Sequence, residues 1–256
     1  MNRPVVEREI NPMSRIKVAL VTGASRPIGL GVAIARSLAE QGYHVIVTAR
    51  NGAQAEEQSA MLRDEGYSVE GNRLDLTDTG DFARIAEHVR TGYGHLDVLV
   101  NNASTMPDRD SRSALDVDIP DVRNALEVDV VGPWALVKAM RPLLEAAPAA
   151  RVVNITSGAY QQIEVGADFP QQVRSPAHSF AKHTLNVLTA TLASAFRGTG
   201  VLVNAVDPGR VATHPEFGVD DDDRPASESA AWVVWAATLP AGGPTGGVFL
   251  DGVRLA

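Results

Sequence analysis

The amino-acid sequence predicts an α/β fold, a parallel sheet wound outward in both directions and covered by helices on each face. Two observations carry that expectation. Short apolar runs, of a length suited to strands buried on both faces, alternate along the chain with longer amphipathic stretches. The first of these runs also ends in a glycine-rich turn that opens a helix, the local order in which a βαβ unit begins.

Taken in order, Lys17-Val-Ala-Leu-Val21 is an apolar run stopped by Thr22-Gly23, and helical periodicity follows from Ile28 to Gln41. The strand pattern returns at Val45 to Thr48, Val98 to Asn101, Val152 to Thr156 and Val201 to Ala205. Between them, residues 53–65, 80–90, 121–146 and 175–197 are amphipathic and long enough for helices. Two segments read as surface loops: Ser104 to Pro120, charged and punctuated by proline, and Thr213 to Ser227, which holds the acidic run Asp220 to Asp223. That run reads as a solvated face and not as a metal site. Residues 1–14 carry Arg3, Glu7, Arg8 and Glu9 and read as a flexible lead-in, and no linker divides 15–256, so a single domain is expected there.

Composition narrows the chemistry. With 256 residues, 45% of them hydrophobic, the chain can bury a large core, and the absence of cysteine excludes disulfides, thiolate zinc sites and cysteine nucleophiles. A net charge of −8 with basic residues scattered singly argues against nucleic acid, whose phosphates need a clustered positive face. Apolar stretches stop short of the roughly 18 to 20 residues of a membrane span, and the charged N-terminus lacks the apolar core of a secretion signal. A small-molecule partner and a cytoplasmic location are therefore expected. His44, His88, His95, His183 and His214 show no metal-ligand spacing and read as structural or surface residues; no metal is expected. Trp134, Trp232 and Trp235 lie in apolar helical contexts and read as core or subunit-contact anchors.

In an open parallel sheet the first strand-to-helix turn presents free N–H groups to an anion. Here that turn is Thr22-Gly23-Ala24-Ser25-Arg26-Pro27-Ile28-Gly29-Leu30-Gly31. It resembles the Thr-Gly-x-x-x-Gly-x-Gly motif of the short-chain dehydrogenase/reductase family, and further matches follow in register over nearly the whole chain. Asp75-Leu76 resembles the pair that contacts adenine, and Asn101-Asn102-Ala103 the segment that closes the fourth strand. Ser157 stands where the family keeps a catalytic serine. Asn204 to Thr213, with Pro208, Gly209 and Val211, resembles the segment against the nicotinamide, and Thr245 to Gly252 the closing strand of the carbonyl-reductase-like branch. The resemblance implies a Rossmann-type domain, a dinucleotide cofactor, and homodimers or homotetramers built through the two long helices. At the end of the second strand, Thr48-Ala49-Arg50-Asn51 has no carboxylate to hold a ribose 2′-hydroxyl; Arg50, with Arg26 on the other side, suits a 2′-phosphate, so NADP(H) is preferred to NAD(H).

The family's Tyr-x-x-x-Lys pair reads His178-Ser-Phe-Ala-Lys182 here, with both side chains on one helix face. Lys182 is one of only three lysines, beside Lys17 and Lys138, which secures the register. Asp129 stands where the family usually has asparagine, Pro27 replaces the central glycine of the turn, and Ser104 replaces the glycine after Ala103. Proline is acceptable in the first turn of a helix, where its missing N–H would be unpaired. Imidazole is shorter than phenol and its reference pKa near 6.5 compares with about 10 for tyrosine. Lys182 favours the neutral ring and Asp129 the charged one, so Asp129, Lys182 and His178 are read as a network holding an imidazole able to give or take a proton near neutral pH. Ser157 would orient a substrate oxygen. Tyr160 is too close to Ser157 to replace the lost tyrosine; with Gln161, Gln162, Phe169 and Pro170 it reads as the wall of a substrate pocket.

Three functions are compatible with this pattern. The first is an enzyme of the fold, binding NADP(H), that performs non-redox acid–base chemistry on a carbonyl or enol substrate through His178: isomerisation, cyclisation or dehydration. The second is an NADPH-dependent carbonyl or imine reductase with an unusual proton donor. The third is a non-catalytic nucleotide sensor or partner subunit. A serine hydrolase is disfavoured, because no Gly-x-Ser-x-Gly elbow surrounds Ser157.

Overall fold

The computed structural model describes residues 15–163, 173–214, 216 and 222–255. Its strands are β1 (Lys17–Thr22), β2 (Tyr43–Ala49), β3 (Val69–Arg73), β4 (Val98–Asn101), β5 (Arg151–Ile155), β6 (Leu202–Asp207), β7 (Val248–Leu250) and β8 (Val253–Arg254). Its helices are α1 (Leu30–Glu40), α2 (Gly52–Asp64), α3 (Thr79–Gly92), α4 (Ile119–Leu126), α5 (Gly132–Ala146), α6 (Pro176–Ala195) and α7 (Ala226–Ala237). Among the described residues the strands form one sheet in the order β3-β2-β1-β4-β5-β6-β7-β8, parallel except for the β7–β8 hairpin. The chain winds outward from β1 both ways, which is the doubly wound, Rossmann-type α/β fold that the sequence predicts.

Strand alternation builds two cores. Val18 and Leu20 of β1 face a cluster with Phe82, Ile85, Leu136, Met140 and Leu185, from α3, α5 and α6. Ala19 and Val21 point the other way, to Val32, Ile34, Leu38, Leu62 and Val233, from α1, α2 and α7. Neighbours β1 and β4 connect onward to opposite sides of the sheet, so a crevice opens beyond their carboxyl ends.

Differences from the sequence expectation have physical causes. β3 reads Val-Glu-Gly-Asn-Arg; as an edge strand it needs little apolar surface, so no run marks it. α7 is marked in the sequence only by the apolar helical context of Trp232 and Trp235. The helix expected over 121–146 divides into α4, a π turn at Glu127–Val131, and α5. Pro133 supplies the reason: it has no N–H for the Asp129 carbonyl, and its ring crowds that carbonyl, so the helix loosens and the Gly132 N–H reaches back to Glu127.

The remaining histidine and tryptophan expectations resolve simply. His44 and His88 bracket Glu70, whose carboxyl they hold down at about 2; His44 also meets the Tyr93 hydroxyl at 2.6 Å. Trp232 and Trp235 pack edge to face, with Trp235 on Phe249, whereas Trp134 is exposed on α5. The lead-in at 1–14, Phe169, Pro170, Asp220 and Asp221 lie outside the described residues. No helix among the described residues is long and apolar enough to cross a membrane.

Candidate active site

The crevice is shaped by residues that keep side chains out of it. Thr22 ends β1, and its hydroxyl accepts the N–H groups of Asn102 and Ala103, each at 3.0 Å, which ties the first turn to the end of β4. The Asn102 amide donates to the carbonyls of Thr22 and Gly23 at 2.8 and 3.1 Å. Gly23 has φ of +74°, and a Cβ there would stand 2.6 Å from the Ala103 Cα; only glycine fits. Gly31 likewise lies against the Gly23 carbonyl and the Asn102 amide.

Arg26-Pro27-Ile28-Gly29 is a β-turn, closed by the Gly29 N–H on the Arg26 carbonyl at 2.9 Å. Pro27 thus occupies the second position of a turn, which favours proline, and precedes the helix instead of starting it, a correction to the sequence reading. Gly29 caps α1 without a side chain, so the first N–H groups of that helix have no side-chain partner. Together these features fit a dinucleotide pyrophosphate: a glycine floor that allows close approach, and a helix N-terminus behind it.

A cavity of about 580 Å³ follows the crevice. At one end stand Arg50, Gln54, Asp75 and Leu76; Ser25, Arg26, Gly29, Asn102 and Ala103 line its middle. Thr22, Pro27 and Ile28 do not line it: Thr22 acts from below, and Pro27 and Ile28 are on the exposed side of the turn. Arg50 makes no hydrogen bond or ion pair among the described residues, and with Thr77 its charge helps to lower the Asp75 pKa, the Thr77 backbone N–H being the main cause. Arg26 is engaged, donating to both Glu216 oxygens at 2.8 and 3.0 Å and standing 2.9 Å from His214 Nδ1. His214, read from sequence as a structural or surface residue, therefore sits at the cavity mouth.

At the far end lie Ser157, His178, Lys182, Pro208, Gly209, Val211 and Thr213. The Pro208 carbonyl accepts from Arg224 Nε at 3.0 Å and from the Ser229 hydroxyl at 2.7 Å. Gly209 has φ of +69° and lies flat on the Arg224 guanidinium, which also pairs with Asp251 at 2.7 Å. Arg224 and Ser229 escaped sequence reading, since nothing local marks residues that brace a loop from a distance. The expected wall from Tyr160 to Gln162 is not part of the cavity: Tyr160 packs with Ala205 and Val248, and Gln162 bonds to Arg174 and Ser179. Thr105, Met106, Asn124 and Val128 form the wall instead.

Four segments converge on the chemical centre. His178 and Lys182 stand one turn apart on α6, both buried. The π turn brings in Asp129, whose Oδ1 accepts from Lys182 Nζ at 3.2 Å. Lys182 also donates to the Ile155 carbonyl at the end of β5, at 2.9 Å. His178 Nδ1 is 2.9 Å from the Thr105 carbonyl and 3.9 Å from Asp129 Oδ2, an oxygen with no hydrogen-bond partner. Burial and then Lys182 push the imidazole pKa down, outweighing Asp129, the Thr105 bond and Asp108. That direction favours the neutral ring over the imidazolium.

Asp108 is a further residue that sequence reading missed. Buried in the loop after β4, it accepts the N–H groups of Ala177 and His178 at 2.6 and 3.4 Å, capping α6 from outside the helix. Asp108→Ala is expected to cost about 1–2 kcal/mol, the usual value of a lost cap, read as a lowered urea midpoint. An unchanged midpoint would mean that the loop is not docked on α6.

Comparison with known proteins places this geometry in context. Residues 17–222 match the family model described as short chain dehydrogenase. The chain is 33% identical over 210 residues to cis-4-hydroxycyclohexanecarboxylate dehydrogenase of Sinomonas cyclohexanicum, covering 81% of this chain and 78% of that one. Among solved structures, a variant of actinorhodin polyketide ketoreductase with NADPH superposes with a TM-score of 0.78 at 25% identity, over 92% of this chain and 95% of that one. A metagenomic short-chain oxidoreductase in complex with NADP gives 0.73 at 26% identity, over 91% and 96%.

Proposed function

The chain belongs to the short-chain dehydrogenase/reductase family, and from that premise we propose that it is an NADP(H)-dependent oxidoreductase of small organic carbonyl compounds and their alcohols, with His178 carrying the proton. The observation that carries this reading is the single crevice running from Arg50 to Ser157, His178 and Pro208. Bound NADP(H) supplies the hydride chemistry. The chain's own residues do the rest: Ser157 orients the substrate oxygen, His178 moves its proton, and Asp129 holds Lys182 in place. NADPH turnover with a panel of ketones, quinones and imines tests it, and rates of order 1 per second are expected for a matched substrate.

Arg50 receives the 2′-phosphate in this reading. Arg50→Ala is expected to weaken NADPH about 10- to 100-fold, the worth of a hydrogen bond to a charged group, and to leave NADH unchanged. Equal loss for both cofactors in calorimetry would assign Arg50 elsewhere. Glu216 competes with the same phosphate for Arg26, so Glu216→Gln is expected to tighten NADPH by up to about fivefold, the scale of an exposed ion pair.

A second reading, non-redox isomerisation, cyclisation or dehydration at the same site, is favoured by one feature: Asp129 neutralises Lys182, which removes the free cation beside the reacting oxygen. It gains if NADPH binds without being consumed while a carbonyl substrate exchanges its α-proton with solvent. Homodimers or homotetramers through the exposed apolar side chains Val131 and Trp134 by α5, and Phe180 and Val187 on α6, complete the proposal, in a cytoplasmic enzyme.

A further inference from the structure

The two ring nitrogens of His178 have different surroundings. Nδ1 faces two groups that only accept hydrogen bonds, the Thr105 carbonyl at 2.9 Å and the carboxylate of Asp129 at 3.9 Å. A carbonyl oxygen has no hydrogen to give, so Nδ1 must carry one. The neutral ring then has its lone pair on Nε2, for which no partner exists among the described residues, and His178 lines the cavity.

From this geometry, in a deepening of the oxidoreductase reading on which it rests, we infer that His178 is a proton acceptor through Nε2 and that the resting enzyme takes an alcohol as substrate. The step balances as follows. The substrate O–H bond breaks toward Nε2, and its electron pair forms the C=O bond. The carbinol C–H pair leaves as hydride to the oxidised nicotinamide of NADP⁺, which is reduced as the alcohol is oxidised. The proton left on the imidazole then passes to solvent.

The surrounding charges favour this assignment. Asp129 faces the ring from the π turn, Lys182 from one turn along α6, and Asp108 from the loop after β4; Asp207 of β6 faces Lys182. Asp129 balances Lys182 by direct contact, and burial outweighs the remaining pull of the carboxylates, so the ring rests uncharged. A uniformly neutral Nδ1–H imidazole cannot donate from Nε2. Reduction of a ketone by this site requires prior protonation of the ring.

Two measurements on the full chain test the inference. In ¹⁵N-labelled protein without cofactor, the His178 resonances, assigned by their loss in His178→Gln, are expected to show Nδ1 protonated and Nε2 bare from pH 6.5 to 8. An Nε2–H tautomer or an imidazolium at pH 7 would overturn the inference. With cofactor and a matched alcohol–ketone pair, oxidation is expected to stay level from pH 7 to 9, and reduction to fall about tenfold per pH unit. Level reduction over that range would equally overturn it. Absence of NADP⁺ binding in calorimetry would remove the oxidoreductase reading and the hydride step with it. The tautomer result fails or stands separately, so the two failures are told apart.

Discussion

His178→Ala is expected to lower turnover about 10²- to 10⁴-fold, the usual worth of a positioned acid–base group, with NADPH binding kept. The separation follows from position: His178 lies at the far end of the crevice from Arg50, and its side chain bonds only within the chemical centre. Loss of NADPH binding in calorimetry would instead make it a cofactor-shaping residue. His178→Tyr refines the result. A phenol placed there meets Lys182 already paired with Asp129, so the ammonium is less available to acidify it. Ketone reduction should therefore be weak in His178→Tyr and rise by roughly tenfold or more when Asp129→Asn is added, a tenfold step being one pKa unit. Additive effects would show that the two positions are uncoupled.

Asp129→Leu is expected to be the most destabilising single change, at about 3–5 kcal/mol, because it leaves Lys182 buried with only the Ile155 carbonyl as partner. Against a total stability of about 5–15 kcal/mol, that is enough to shift a urea transition far toward zero. Asp129→Asn keeps an oxygen for Lys182 at nearly constant volume and should cost much less. A leucine variant as stable as the parent would show that the ammonium does not depend on the carboxylate.

Much of this architecture was legible because it is local. The run before Gly23, the periodicity of α1 and the four-residue step from His178 to Lys182 are written in consecutive residues, and each survives in the fold. Asp129 could be placed near Lys182 only through family resemblance, since 53 residues separate them. The π turn has a local signal in Pro133, four residues after Asp129. Asp108, Arg224 and Glu216 had none. Each acts on a backbone or side chain brought near by tertiary folding: Asp108 on the start of α6, Arg224 on the Pro208 carbonyl, Glu216 on Arg26. β3 was hidden for a different reason, as an edge strand without an apolar run.

The π turn at Glu127–Val131 also bears on how this site arose. An α-helix advances about 100° per residue, so one turn closed by five residues in place of four is equivalent to a single inserted residue. Deleting one residue between Glu127 and Val131 and replacing Pro133 by alanine would let α4 and α5 join as a continuous α-helix. The sheet would survive, but one half of the helix would rotate about 100° against the other and carry the carboxylate out of the crevice. The chemical centre is thus encoded by chain length as well as by residue identity. In a set of homologues, a one-residue gap at this point would mark loss of the carboxylate from the site even where an aspartate is still present beside it.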